Sequence, residues 1–470
     1  MILLRSVNAT KHVSTGRAIA LAISIILLSQ QSDANGIISS DISIGVIGDQ
    51  TGTRDLDRSY RTLREGIDVL NTRDIDIVLH VGDLLESTQS EQEMRQRFAQ
   101  ATTLLNRLRV PWYLTAGDHD VNPIDWTANS QDRSRETLFK RLYSPINPKV
   151  VDHLWYSFDV KAYHFVVLDS LERLRTDPRW GNIFLSQISD DQFEWLRDDL
   201  QKNASASDGV IVLLHQPLWF NWTNWGHIHE LLAKYNTRIV IAGHTHYNQV
   251  EPPLDGIQYI VVGATGADTK EGSENAGDLQ HTTVLHLTKE AISSEIIPLT
   301  GYSHRHWTDR PTMDRVQAAD VSLSNLKFDT FGIRNNKLYS SCDSSEPAKL
   351  KIENIGNPTD VPMRVVIDLA PPNTLELTNR HFSKGVCQTD VSEYECVLLP
   401  SANVVTANNS MVQNSYDGNP VPLWTAEITS TDPTDLAGLE IPVRATLSIA
   451  RQNSVYTVHH DASLKFELCK

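Results

Sequence analysis

The chain has 470 residues, too many for one ordinary core, so two or three domains are expected. Its formal charge of -16 argues against a protein that coats nucleic acid, because an acidic surface repels phosphate backbones. The same surface is compatible with a small substrate drawn in by a local cation such as a metal.

The first 34 residues belong to no core. Arg5, Lys11 and Arg17 give a basic start, Ala18–Leu28 is a short apolar run, and Ser32-Asp33-Ala34 places small residues where a signal peptidase reads. This is the pattern of a signal peptide over 1–34, with cleavage after Ala34. The apolar run is well short of the roughly 20 residues that span a bilayer, and no later run is longer. The expectation is a secreted or periplasmic protein with no transmembrane span.

Asp41–Gly48 reads as a β-rich strand that ends at Asp49. Asp57–Leu70 has helical spacing, and Ile75–Val81 is a second strand ending at Gly82-Asp83. Thr88–Leu108 is long enough for a helix, with Met94, Phe98, Leu104, Leu105 and Leu108 for its buried face. Pro111–Thr115 is a third strand, and it runs through Ala116-Gly117 into Asp118, His119 and Asp120. This β-α-β-α-β order implies a sheet with helices on its faces.

Asn122–Ser144 is polar and reads as loop. Leu154–Val160 and His164–Asp169 read as a strand pair about a turn at Lys161-Ala162. Ser189 opens a helix, and Gly209–Leu214 is a buried strand ending at His215. Ile228–Tyr235 is a short helix, and the strand Thr237–Ala242 ends at Gly243-His244-Thr245-His246. Ile257–Val262, His281–Leu287 and Ala291–Ile297 close a domain over 40–300.

Residues 301–340 have mixed composition and weak periodicity, and read as a connector. From Cys342 the texture changes to short β-rich segments parted by Asn, Pro, Asp and Gly. They are Leu350–Ile355, Met363–Leu369, Tyr394–Leu398, Trp424–Ile428, Ile441–Ser448 and Ser454–Val458. That spacing argues for an Ig-like all-β sandwich over 341–470. Cys342, Cys387, Cys396 and Cys469 all lie in this part. Three pairings exist, of which Cys387–Cys396 with Cys342–Cys469 is favoured; four buried thiols are the alternative. No CxxC spacing occurs, so a zinc–sulfur site is not indicated.

Five strand ends thus deliver metal-ligand residue types: Asp49; Asp83; Asp118 with His119; His215; His244 with His246. Carboxylate and imidazole together suit Mn, Fe or Zn. The blocks Gly48-Asp49, Gly82-Asp83, Gly117-Asp118-His119-Asp120, His215 and Gly243-His244-Thr245-His246, in that order, resemble the calcineurin-like metallophosphoesterase family over about Asp41–Leu299. The resemblance implies an α/β (α+β) fold of two packed sheets flanked by helices. It implies two divalent or trivalent metal ions and a bridging hydroxide that attacks a phosphoester in line. Asp83 would bridge the ions, Asp49 and His246 would hold one, and Asp118, His215 and His244 the other. His119 would protonate the leaving oxygen, oriented by Asp120. The substrate would be a phosphoester small molecule or a phosphorylated macromolecule.

Two departures stand out. The family's His two residues after the first Asp is Thr51 here, and its Asn is Asp118. The related purple acid phosphatases also lack that His and use a Tyr three residues after the second Asp. That position is Glu86 here, so no iron–phenolate colour is expected, and Glu86 becomes a further candidate ligand. The site reads as a working variant, a weak one-metal site or a dead one. The competing function is a surface binding protein on a retired phosphatase fold, acting through its sandwich.

Gly226-His227-Ile228-His229 imitates the last block but opens a helix, where i and i+2 point apart. His80 reads as a packed strand residue. The aromatic run Trp219–Trp225 either lines a cleft or covers the metal rim. No GxSxG elbow and no P-loop occurs.

Overall fold

The structure is a computed structural model, and it describes residues 41–51, 55–87, 90–122, 132–172, 187–220, 222–269, 274–324, 326, 328–352, 363–369, 374–382, 387–389, 393–398, 424–451 and 454–470. The expected signal peptide lies outside the described residues. No helix among them is long and apolar enough to cross a membrane.

The first half builds two sheets. One is assembled from β1 (Ile42–Ile47), β2 (Ile77–His80), β3 (Trp112–Leu114), β10 (His281–Leu287) and β11 (Ile292–Pro298), in the order β11-β10-β1-β2-β3. The other takes β4 (Tyr156–Val160), β5 (Tyr163–Val167), β6 (Gly209–Leu213), β7 (Thr237–Ala242), β8 (Gln249–Val250) and β9 (Gln258–Val261), in the order β4-β5-β6-β7-β9-β8. β1, β2 and β3 are mutually parallel, as are β5, β6, β7 and β9. Alternation decides what each side chain meets. Phe165, Val167, Ile211, Leu213, Ile239 and Ile241 join Ile42, Ile44 and Val46 of the first sheet in one core. Val166, Val210, Val212, Val240 and Ala242 face a helix layer instead.

Helices α1 (Leu56–Leu70), α2 (Glu91–Leu105), the single turn α3 (Asp118–Val121), α4 (Ser134–Tyr143), α5 (Asp190–Asn203) and α6 (Trp222–Leu232) connect the strands. Asp55, Ser90 and Ser189 cap α1, α2 and α5, each accepting a backbone N–H from the first turn. α4 lies inside the stretch expected to be loop. Its buried positions are Arg135, Leu138, Phe139 and Tyr143, so a charged residue breaks the apolar period. α6 starts six residues before Ile228, within what read as an aromatic loop.

An ion cluster centred on the buried His164 ties β4, β5 and α5. His164 has Asp159 2.7 Å from Nδ1 and Asp199 2.8 Å from Nε2. Burial alone would lower its pKa, but the two carboxylates outweigh burial and raise it. Its contribution to stability is therefore fully present below the ordinary imidazole pKa and is lost as pH rises through the raised value. Denaturant melts over the neutral-to-alkaline range should show this loss, and His164→Gln should flatten it. An unchanged slope in that variant would remove His164 from the account.

In the second half, the stretch 301–340, expected as a connector, carries α7 (Arg310–Ser324), β12 (Thr330–Arg334) and β13 (Lys337–Tyr339). Met313, Val316, Ala319 and Leu323 of α7 belong to the core of the following sheets. Those sheets use β14 (Lys349–Ile352), β15 (Met363–Leu369), β16 (Leu375–Phe382), β17 (Cys387–Thr389), β18 (Glu393–Leu398), β19 (Trp424–Ser430), β20 (Glu440–Arg451) and β21 (Ser454–Leu468). One has the order β13-β12-β21-β20-β15-β18-β17 and the other β14-β19-β16. Val365, Ile367 and Val443 of the larger sheet share a core with Leu350, Leu377 and Ala426 of the smaller.

Cys342 and Cys469 form a disulfide, with Cα atoms 5.2 Å apart and a sequence separation of 127. Gly332 makes room for it: a Cβ there would stand 2.7 Å from the Cys469 sulfur. Cys387 and Cys396 are opposite each other in the register of β17 and β18, and their side chains lie outside the described residues. Replacing Cys342 by Ser should cost this half about 3–5 kcal/mol, because the bond closes a long loop of the unfolded chain. The check is a denaturant melt under oxidising conditions, where an unchanged midpoint would refute it.

Candidate metal centre

The parallel strands of each sheet end on one edge, so the expected ligand residues arrive together. Asp49 follows β1, Asp83 follows β2, Asp118 follows β3, His215 follows β6, and His244 and His246 follow β7. Backbone bonds extend the ladders past the strands. Asp49 N–H donates to the Gly82 carbonyl, Gln50 N–H to the Asp83 carbonyl, and Gly243 N–H to the His215 carbonyl.

The backbone is strained where the ligands sit. Asp49 (φ 54°), Asp83 (φ 54°), His244 (φ 73°) and His246 (φ 62°) all lie in the left-handed region. Each such residue costs about 1–3 kcal/mol and persists only where the surroundings dictate it. Gly117 permits the closest approach, since a Cβ there would lie 2.2 Å from the backbone nitrogen of Asp83.

Three groups of ligand atoms lie within 4.8 Å of one another among the described residues: Asp118 with His215 and His244; Asp49 with Asp83 and His215; Asp83 with Asp118 and His119. Asp118 Oδ1 is 2.9 Å from His215 Nε2 and 3.0 Å from His244 Nδ1. His215 donates its Nδ1–H to the Val81 carbonyl at 2.7 Å, which fixes the tautomer and leaves Nε2 as the ligating nitrogen. Burial opposes charge here, yet the imidazoles hold Asp118 well below the usual carboxylate range. Asp83 and Asp118 in turn push His215 well above its ordinary value against burial.

Asp49 is the sharpest indicator. Its Oδ1 accepts the His244 N–H at 3.0 Å, while its Oδ2 is buried with no hydrogen-bond partner. Burial pushes its carboxyl well above the usual range, against the charge of His215. A carboxylate placed like this calls for either a proton or a cation. Asp83 is bonded on both sides: Oδ1 accepts the His119 N–H at 2.9 Å, and Oδ2 accepts the Thr51 hydroxyl at 3.0 Å. The donor set therefore fits metal ions. His246 is in none of the three groups, although Asp83 acts on it electrostatically and burial lowers its pKa to about 4.

His119 is held differently from expectation. Its Nδ1 faces Glu86 Oε1 at 2.9 Å and the Ser87 hydroxyl at 3.1 Å. Asp120 does not orient it. The Asp120 carboxylate turns inward, accepting N–H groups of Gly117 at 2.8 Å, Leu85 at 2.9 Å and Leu84 at 3.3 Å, and so fastens two loops together. Burial alone would lower the His119 pKa, but the Glu86 bond and the charges of Asp83 and Asp118 raise it to about 9. Glu86, a candidate ligand by sequence, is in none of the three groups.

Against known proteins, the family model described as calcineurin-like phosphoesterase matches residues 42–248, the stretch that carries every one of these side chains. Residues 42–248 are similar to calcineurin-like phosphoesterases. Among curated relatives, purple acid phosphatase 21 of Arabidopsis thaliana is 25% identical, covering 60% of this chain and 63% of its own length. Purple acid phosphatase 22 of the same plant is 28% identical, covering 42% and 45% respectively. Tartrate-resistant acid phosphatase type 5 of Homo sapiens is 25% identical, covering 40% of this chain and 61% of its own. The chain thus spans less than two thirds of each.

Around the candidate centre, the imitations resolve into packing. His80 is fully buried, with Nε2 2.6 Å from Gln50 Oε1. His229 lies within α6 and faces the Tyr259 hydroxyl and Asp255, away from the centre. Trp219 and Trp225 are buried around Tyr259, so they are core residues of the domain. Phe220 lies 4.2 Å under the Arg310 guanidinium, which joins the loop after His215 to α7. Sequence reasoning missed Arg135, which donates to the His119 carbonyl at 2.7 Å. Its only signal was an Arg inside a stretch taken as loop.

Proposed function

We propose that the chain is an exported, metal-dependent phosphoester hydrolase, phosphatase or phosphodiesterase. The observation that carries this is the buried, unpartnered Oδ2 of Asp49 among converging carboxylates and imidazoles at the strand ends. Asp118, His215 and His244 would hold one ion and Asp49 the other, with Asp83 shared and His246 close by. Three carboxylates with imidazoles suit Mn, Fe or Zn. Bound there, the ions would supply positive charge for the phosphoryl oxygens and lower the pKa of water.

The chain's own residues do the rest. With Nδ1 turned to Glu86, His119 keeps Nε2 as the nitrogen that delivers a proton to the leaving oxygen. Glu86 stabilises the protonated ring and fixes its orientation. Asp120 and Arg135 hold the loops that carry Glu86 and His119. The resemblance to acid phosphatases supports a phosphoester as the substrate class.

The test is metal analysis of the secreted protein together with a panel of aryl phosphate monoesters and diesters. Hydrolysis that stops on chelation and returns with added metal is expected. Two bound ions with no turnover of any phosphoester would favour the binding-protein reading instead.

A further inference from the structure

We propose that the two halves of this centre are unequal by construction: Asp118, His215 and His244 hold one cation tightly, and a second is held weakly at Asp49, where Thr51 adds no ligand and no imidazole is left over. The inference rests on the dimetal reading above and sharpens it.

Imidazole supply is the first reason. The groups around Asp118 and around Asp49 both contain His215. That ring has one nitrogen to give, because Nδ1–H is committed to the Val81 carbonyl. An ion takes Nε2 on one side or the other. Asp118 Oδ1 lies 2.9 Å from it, and His244 adds a second imidazole at 3.0 Å from the same oxygen. The Asp49 group has no imidazole beyond His215, and His246 joins none of the three groups. Once the Asp118 side is filled, the Asp49 side keeps carboxylates alone.

The shared carboxylate is the second reason. Asp83 Oδ1 is 3.4 Å from His215 Nε2 and accepts the His119 N–H, so it belongs to the Asp118 side. Asp83 Oδ2 is left for Asp49, and there the buried Thr51 hydroxyl donates to it. That bond orients the Asp83 carboxylate but brings no ligand of its own to the Asp49 side. Thr51 itself, as a neutral hydroxyl, is a poor replacement ligand.

The experiment titrates Zn²⁺ alone into metal-free protein, by calorimetry and by competition with a coloured chelator, and counts ions retained after gel filtration. About one ion per chain should survive filtration, and the second should bind roughly 100-fold more weakly or worse, the scale on which surrounding groups alter metal affinity. Asp118→Ala should lose the tight ion, and Asp49→Ala should keep it and lose the weak one. Two ions of equal affinity would overturn the proposal, as would loss of the tight ion in Asp49→Ala. Turnover at saturating Zn²⁺ separates this from the hydrolase reading. Unequal binding without phosphoester hydrolysis defeats that reading alone, and hydrolysis with two equal ions defeats the inequality alone.

Discussion

Asp83→Asn should give a folded protein that retains fewer than one ion per chain and does not turn over phosphoesters. Asp83 belongs to two of the three ligand groups among the described residues, and its two oxygens serve two different neighbours. An amide keeps one carbonyl oxygen to accept the His119 N–H. Its NH₂ can donate to the Thr51 hydroxyl, which also accepts hydrogen bonds. The local network thus survives, and the melting behaviour of metal-free protein should barely change. What is lost is the charge that lets one side chain lie between two cations. Since changes to groups merely surrounding a metal cost about 10–100-fold in affinity or activity, loss of the shared ligand should exceed that. Elemental analysis with aryl phosphate assays decides it: two retained ions with near-normal turnover would end the bridging role.

His119→Ala should keep its metal content and lose about 10²–10⁴-fold in turnover, the usual worth of a positioned general acid. The loss should shrink as the leaving group improves, because a good leaving group departs without a proton. Glu86→Gln separates the two readings of Glu86. The carboxylate is 2.9 Å from His119 Nδ1, so its neutral replacement should leave both ions in place and lower turnover by part of the His119 effect. Loss of close to one ion per chain in Glu86→Gln would make it a ligand after all. An equal loss for every leaving group in His119→Ala would take His119 out of proton delivery.

The candidate ligand residues were legible because each is local: an apolar run stops and a carboxylate or imidazole follows, with parallel strands bringing the ends to one edge. Thr237–Ala242 and His281–Leu287 have the bounds that their apolar pattern predicts. The partner of His119 was not legible. Asp120 is next to it in sequence, but the side chain turns to the N–H groups of Leu84 and Leu85, and the partner comes from the loop after β2. Which of two nearby carboxylates meets a ring depends on loop paths that no spacing records. α7 shows another limit. Met313, Val316, Ala319 and Leu323 recur at helical steps, yet polar neighbours dilute the signal, and what fixes the helix is a sheet more than a hundred residues away. β21 runs past its expected end at Val458 because His459, His460 and Asp461 break the apolar pattern on a hairpin still paired with β20.

The placement of α7 and β12 bears on how the second half can be produced alone. A fragment begun at residue 341 would strip Met313, Val316, Ala319 and Leu323 from the sheet core and remove the strand that pairs with Lys465–Leu468. It would present a bare apolar face beside an open strand edge, the combination that recruits other chains into aggregates. A start near residue 301 would keep α7 and β12, yet it would still take Tyr247 and Ala276 out of the same core.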